Sequence, residues 1–437
     1  MSEKTYTDPD RWARLKWYAR FVLDLSITGS VMVREHKLLI HTLIAHNDGQ
    51  SIFPSLQSLW WPPLSFSDTS YFPLFTPQLY SVLFDFYQCT KADGRLPDEY
   101  PQSHVFLAGL RAASPRLGQL SVCTSSRRFG KNHSCVIASF EHLTDLHLVA
   151  HIELASFLEL VAMPRMEILR VAHVRSDGLE LSHPAQRIHA SRLSLISVGG
   201  DCPSLTHLFT ALDAPNLASA SLQVICDDPY TNKPIDYASC IQALASAAPP
   251  TSMKDICIKL DKDGCGSQAL EYLADLLAPL LAFCNLTRFS LSCPTLRLVG
   301  NRGDFLSMAS AWPKLQAFEL WPAYWAPHVD LDDEYSEPIA IPTPEVLECF
   351  RDHCTALEEL LLPYLDFDAD VPAGRVPRDG SCHVLKRVTF VGRDVRGEHD
   401  DDYWDLELDE RDESKATEWA RYILDLFPNL DTDECRS

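Results

Sequence analysis

Apolar positions recur along the chain in one short phrase, Pro-x-Leu-x-x-Leu-x-Leu with substitutions. It reads PSLQSLWW at 54–61, PQLYSVLF at 77–84, PRLGQLSV at 115–122, EHLTDLHL at 141–148 and PRMEILRV at 164–171. It continues as PNLASASL at 215–222, TSMKDICI at 251–258, CNLTRFSL at 284–291, PKLQAFEL at 313–320, TALEELLL at 355–362 and HVLKRVTF at 383–390. A truncated PNL closes the series at 428–430, and weaker copies are placed at Tyr18–Leu25 and Ile188–Leu195. The apolar anchor in third position runs from Tyr18 through Leu56, Leu79, Leu117, Leu143, Met166 and Ile188. It continues through Leu217, Met253, Leu286, Leu315 and Leu357 to Leu385. Twelve intervals spanning 367 residues make a loose period of about 31, with single spacings of 22 to 42.

The Leu-x-Leu end of each copy alternates as a strand does, with both leucines on one face. Before it stands a stretch with apolar residues three and four apart, which predicts a one-sided helix. Examples are VFLAGLRAAS (105–114), ELASFLELVAM (153–163), SLTHLFTAL (204–212), YASCIQALASAA (237–248), QALEYLADLLAPLLAF (268–283) and PEVLECFRDHC (344–354), the last opened by Pro344. The unit is therefore helix, turn, strand, loop. One such unit cannot bury its apolar face alone, whereas stacked units share a core. This resembles leucine-rich-repeat proteins of the α/β horseshoe type: an irregular solenoid with a parallel inner sheet and outer helices, over roughly 13 units. The expected layout is an N-terminal helical cap and first degenerate repeat at 1–50, a repeat array at 51–393, an acidic loop at 394–413 and a C-terminal capping helix and tail at 414–437.

The irregular spacing and the opening phrase PDRWARLKWYARFVLDL (9–25) narrow the resemblance to fungal, basidiomycete-type F-box/leucine-rich-repeat proteins. In those, a helix carrying Trp and Tyr-Ala-Arg opens the array, and Trp12, Tyr18, Ala19 and Arg20 match it. The resemblance implies a protein-interaction module that selects substrates for an SCF-type ubiquitin ligase, with the SCF adaptor as a further partner. No F-box is recognisable: LPDEYPQSHVFLAGL (96–110) begins as an F-box helix does, but Pro101 interrupts it and 105–114 already reads as a repeat helix. The alternative is a free-standing leucine-rich-repeat scaffold or inhibitor with no ubiquitin link.

Charge adds direction. Lys+Arg number 38 against Asp+Glu 60, a net charge of −22, which argues against nucleic-acid and anionic-membrane partners and favours a protein with a basic surface. Glu398–Glu413 holds ten carboxylates and one Arg, and Asp330–Glu337 five carboxylates and no base. Tyr403 and Trp404 lie inside the longer run, and Trp321, Tyr324 and Trp325 precede the shorter one; aromatics beside charge are common interface anchors. The polar start MSEKTYTDPDRW has no apolar signal core, and no run of about 18 apolar residues occurs. Fourteen cysteines are scattered without a Cys-x-x-Cys pair and read as reduced, mostly buried thiols. A cytoplasmic or nuclear monomer is expected.

Candidate chemistry is thin. Gly264-Cys-Gly266-Ser-Gln-Ala269 matches a dinucleotide fingerprint, but Asp261–Asp263 separate it from the preceding strand, so it reads as a loop into a repeat helix. Asp366-Phe-Asp368-Ala-Asp370 starts like a calcium loop, yet Val371 and Pro377 stand where Gly and Glu are needed. Cys349, His353 and Cys354 lack a second ligand pair and read as packing at a helix end. His36, His41 and His46, five apart, cannot share one helix face. Arg127-Arg-Phe-Gly-Lys131 reads as a solvated turn. No catalytic, cofactor or metal residue is assigned, and the chain is not expected to be an enzyme. Strand alternation instead nominates partner-binding positions that flank the inward leucines: Asp145, His147, Arg170, Lys259, Arg288, Glu319, Trp321, Glu359 and Arg387, with Gln223 and Thr389, joined by Tyr403 and Trp404 from the acidic run.

Overall fold

The structure, a computed structural model, describes residues 8–26, 33–61, 69–85, 103–123, 129, 131–176, 187–225, 235–261, 270–324, 342–363, 365–367, 371, 383–391 and 410–431. They form two compact units, one of residues 1–199 with 211–214, the other of 200–210 with 215–437.

In the first unit the order is α1 (Pro9–Ala19), β1 (Asp24–Ser26), α2 (Val33–His46), β2 (Ser58–Trp61), β3 (Ser81–Asp85), α3 (Ser103–Ala113), β4 (Gln119–Cys123), α4 (Lys131–Ala138), β5 (Asp145–Glu153), α5 (Leu154–Val161), β6 (Ile168–Arg175), β7 (Ile188–His189) and β8 (Leu195–Gly200). After α6 (Cys202–Ala211), β9 (Leu212–Asp213) returns to pair with β7. In the second unit follow β10 (Ser219–Ile225), α7 (Tyr237–Ala247), β11 (Asp255–Asp261), β12 (Leu270–Tyr272), α8 (Leu273–Leu277), β13 (Arg288–Val299), α9 (Arg302–Ala311), β14 (Ala317–Tyr324), α10 (Val346–His353), β15 (Glu359–Pro363), β16 (Arg387–Val391) and α11 (Glu410–Leu426). The strand order is β1-β2-β3-β4-β5-β6-β8 in the first unit and β10-β11-β13-β14-β15-β16 in the second. Strand pairing is parallel. Each unit is an α/β leucine-rich-repeat solenoid, as the repeat predicts.

The register follows from the anchors. Leu56, Leu79, Leu117, Leu143, Met166, Leu217, Met253, Leu286, Leu315, Leu357 and Leu385 are all buried, and each stands two residues before a strand. Burying one such side chain is worth about 2 kcal/mol. Two expected anchors are misplaced. Tyr18 is 63% exposed and belongs to α1, so Val22, two residues before β1, takes the position. Ile188 lies in the two-residue β7, and the buried Leu193 leads β8. Between anchor and strand runs a ladder of backbone bonds. One carbonyl accepts two N–H groups from the following repeat: Leu23 O from Gln57 and Ser58, Gln57 O from Tyr80 and Ser81, Tyr80 O from Gly118 and Gln119. The second unit repeats it, with Lys254 O accepting from Thr287 and Arg288, and Thr287 O from Gln316 and Ala317.

Local chemistry sets the helix starts. Asp8 caps α1 through the N–H groups of Asp10 and Arg11, with Pro9 following. Asp201 caps α6 through Ser204 N at 2.7 Å, Asp236 caps α7 through Ser239 N at 2.9 Å, and Asn301 and Asp304 form a capping box on α9. The helix expected over 268–283 is broken up. Leu270–Tyr272 pairs with the far end of β13, α8 covers one short stretch, and a 3₁₀ turn with Pro279 at its start covers 278–282; proline cannot serve as a donor inside an α-helix. At the C-terminal end α11 begins at Glu410, inside the acidic run. It is held by the buried Trp419, whose Nε1 donates to Phe367 O at 2.9 Å, and by Leu426 and Phe427, both buried. Tyr422 Oη donates to Glu348 Oε1 at 2.7 Å, and Arg302 Nη2 lies 3.2 Å from Glu348 Oε2. The carboxylate of Glu348 is only 3% exposed, so these two donors offset the cost of its burial. Cys349 and Cys354 are buried, and the Cys354 thiol donates toward Ala309 O at 3.4 Å; burial pushes its pKa up to about 12.

Candidate protein-interaction surface

The residues between the inward leucines line up in rows across neighbouring strands. In the second unit one row is Ser219, Asp255, Arg288, Ala317, Glu359 and Arg387. The next is Ser221, Cys257, Ser290, Glu319, Leu361 and Thr389, and a third holds Gln223, Lys259, Ser292 and Trp321. These positions are exposed or half-buried while their neighbours Ile256, Ile258, Phe289, Leu291, Phe318 and Leu320 are buried. The alternation thus runs in the expected register.

Ala317 leaves a gap in the first row, and a depression of about 280 Å³ opens there. Asp255, Arg288, Cys257, Ser290 and Glu319 line it. Its carboxylates are held in place. Glu319 Oε2 accepts from Ser290 Oγ at 3.0 Å and from Trp321 Nε1 at 3.4 Å, and Thr287 Oγ1 donates to Asp255 Oδ1 at 3.2 Å. Arg387 Nη1 lies 3.8 Å from Glu359 Oε1. Arg288 is exposed and, among the described residues, forms no ion pair. A fixed pair of carboxylates beside an uncommitted guanidinium can receive polar groups of both signs. Asp255, Cys257 and Ser290 were not singled out from the sequence. The signal was present, since Cys257 and Ser290 stand two residues from the nominated Lys259 and Arg288, and Asp255 stands two further along the same strand face.

The first unit groups Asp145, His147 and Arg170. Arg170 Nη1 lies 3.1 Å from Asp145 Oδ1, and His147 is the register partner of both Ser121 and Arg170. Ser121 Oγ stands 3.3 Å from His147 Nδ1. Burial holds the His147 pKa below its ordinary value, helped by the positive charge of Arg170 and opposed by Asp145. A larger open groove of about 530 Å³ lies on the helix side, lined by Ala108, Arg111, Ala112, Cys135, Val136 and Ser139. Its lining is small side chains and one arginine, and the exposed Cys135 thiol donates to Glu159 Oε2 at 3.8 Å.

Lys259 and Trp321 share one row, Glu319 lies in the adjacent one, and Arg288, Glu359 and Arg387 share the row beyond. Tyr403 and Trp404 lie outside the described residues, as do Gly264–Ala269, Asp368, Asp370, Arg127, Arg128, Asp330–Glu337 and Trp325. Among the described residues no group of three or more His, Cys, Asp or Glu could hold a metal ion, and no helix is long and apolar enough to cross a membrane.

Geometry makes the chain a leucine-rich-repeat protein by fold. No family model and no curated protein matches it. Among solved structures it is similar to a chain of the yeast Rad7 and Elc1 complex, at 13% identity and a TM-score of 0.35 over 81% of this chain and 82% of that one. It is similar to an internalin (InlF) of Listeria monocytogenes, at 11% identity and a TM-score of 0.32 over 90% and 92%. A third is the ectodomain of the Arabidopsis receptor kinase HAESA in complex with an IDA peptide hormone, at 11% and 0.24 over 82% and 66%.

Proposed function

We propose that the chain is a protein-recognition module whose inner face binds a partner protein, with the depression around Arg288 as its centre. The observation that carries this reading is the exposed Arg288, which forms no ion pair among the described residues, beside the positioned carboxylates of Asp255 and Glu319. A mixed-charge, shallow site suits a protein surface better than one small ligand. Lys259, Trp321, Glu359 and Arg387 extend the surface in the second unit, and Asp145, His147 and Arg170 are its counterpart in the first. We propose that Tyr403 and Trp404 of the acidic run also contact the partner, and that the charge of this run draws in a partner with a basic surface. We infer that this recognition serves substrate selection in an SCF-type ubiquitin ligase; the resemblance of Trp12, Tyr18, Ala19 and Arg20 to the family helix supports that role.

Affinity purification of the tagged full chain and of its Arg288→Glu and Glu319→Lys variants tests both statements. Proteins retained by the parent should be lost from both variants while thermal unfolding stays unchanged. Recovery of the same set from all three overturns the inner-face site. Co-purification of the SCF adaptor and cullin supports the ligase role; partners recovered without them make the chain a free-standing scaffold.

A further inference from the structure

The first helix is apolar on both sides. At 100° per residue, Trp12, Leu15 and Ala19 share one side. Trp12 and Leu15 are half-buried, Ala19 is buried, and Trp12 meets His46 edge-on at 5.8 Å. The opposite side carries Arg14 and Trp17, and Phe21 follows in the turn after the helix. Trp17 is 54% exposed, Tyr18 63% and Phe21 66%. These rings are not independent: Trp17 packs edge-to-face on Tyr18 at 4.9 Å and on Phe21 at 5.1 Å. Leu23, 46% exposed, follows two residues on. Ala19 is the only residue of the eleven in α1 that is fully buried. A helix this short is marginal in water without packing, and a clustered aromatic face left to solvent is the mark of an interaction site.

Charge says what kind. From Arg11 to Leu23 there are four cations and no carboxylate, in a chain where acids outnumber bases 60 to 38. Arg11 is paired to Asp8 at 3.3 Å, and Lys16 lies over the Trp12 ring at 5.3 Å. Arg14 and Arg20 are exposed and flank the ring cluster. Arginine beside exposed aromatics is the composition of a protein hot spot.

We propose that the Arg14–Trp17–Phe21 face, with Tyr18, Leu23 and Arg20 at its rim, docks a short acidic segment of a partner protein. The rings take its apolar side chains and the two guanidiniums take its carboxylates. An acidic membrane is an extended surface and would confront the whole net charge of −22, whereas a short segment stays within a Debye length of the local cations, about 8 Å at physiological salt. A second copy pairing through the same face would set arginines against arginines. The site shares no residue with the inner face and stands or falls without it.

The test is selection of random 12-residue peptides displayed on phage against the immobilised full chain. The expected winners are net acidic and carry two or more Leu, Ile, Phe or Trp. A synthetic peptide of the winning sequence should bind about tenfold or more weakly to Trp17→Ala, Phe21→Ala and Arg14→Glu. It should bind equally to Arg288→Glu, with unfolding temperatures unchanged because the substituted side chains are exposed. Neutral or basic winners, no enrichment, or equal binding to the α1 variants would overturn the proposal. So would capture of phosphatidylserine vesicles, or a concentration-dependent dimer, that is lost in Trp17→Ala.

Discussion

Gly109 sits inside α3, where helix propensity alone favours Ala by about 1 kcal/mol. The reason for Gly is tertiary. A Cβ there would stand 2.9 Å from two ring atoms of Phe72, and that ring is wedged against Phe75 at 5.5 Å and Phe106 at 6.0 Å. Overpacking of this kind costs about 1–3 kcal/mol, so it outweighs the propensity gain. Gly109→Ala should lower the unfolding free energy by about 1 kcal/mol in urea titration, and a stabilised variant would contradict the argument. His383 offers a second residue-level case. It is buried, Leu385 N donates to its Nδ1 at 3.2 Å, and Nε2 stands 2.9 Å from Cys354 O, a donor in the neutral ring. Both nitrogens are therefore engaged in the uncharged form, and burial pulls the pKa below its ordinary value. The unfolded chain takes the proton first. The stabilisation is complete above pH ~6.5 and is lost as pH falls from there through the folded pKa. His383→Gln should flatten the decline of stability as pH falls below about 6.5; identical slopes for parent and variant would count against it.

At the scale of elements, α11 closes the second unit by burying Trp419 against Phe367 and by completing the partners of Glu348. Trp419→Ala should cost about 3–5 kcal/mol and broaden thermal unfolding as the last repeats fray. A sharp transition with unchanged midpoint would mean that α11 is not a cap. Elements were legible in the sequence wherever a helix, an anchor and a strand fell in their usual order, as around Met166 and Leu357. The anchor is buried by the fold itself, so its apolar character survives every change in loop length. Tyr18 misled because YARFVLDL has nearly the same apolar spacing as the true copy, whereas Val22 holds the position. Ile188 misled because β7 precedes the real copy at Leu193. The stretch 268–283 read as one helix because its leucines suit a helix period, but pairing of Leu270–Tyr272 with β13 and the missing donor of Pro279 override that pattern. For the inner face the sequence was sufficient for which residues face out, since alternation decides that. It was silent on the depression, which depends on Ala317 lying in register between Arg288 and Glu359 on strands far apart in the chain.

For the molecule as a whole, the net charge of −22 should shape how a partner arrives. Reversing charges within Glu398–Glu413 should slow association with a basic partner and weaken its salt dependence. Stopped-flow binding at about 50 and 300 mM salt reads this directly, and unchanged rates at low salt would remove the acidic run from recognition. The carbonyl ladder has a different consequence, one of mechanics. Each rung joins a repeat to the next through the same pair of backbone bonds, whatever side chains lie beside it. This backbone link is therefore the same at Thr287 as at Lys254. Drawn out by its C-terminal end, the second unit should yield in a train of small ruptures of similar force rather than in a single break, the behaviour of a zip fastener and not of a knot.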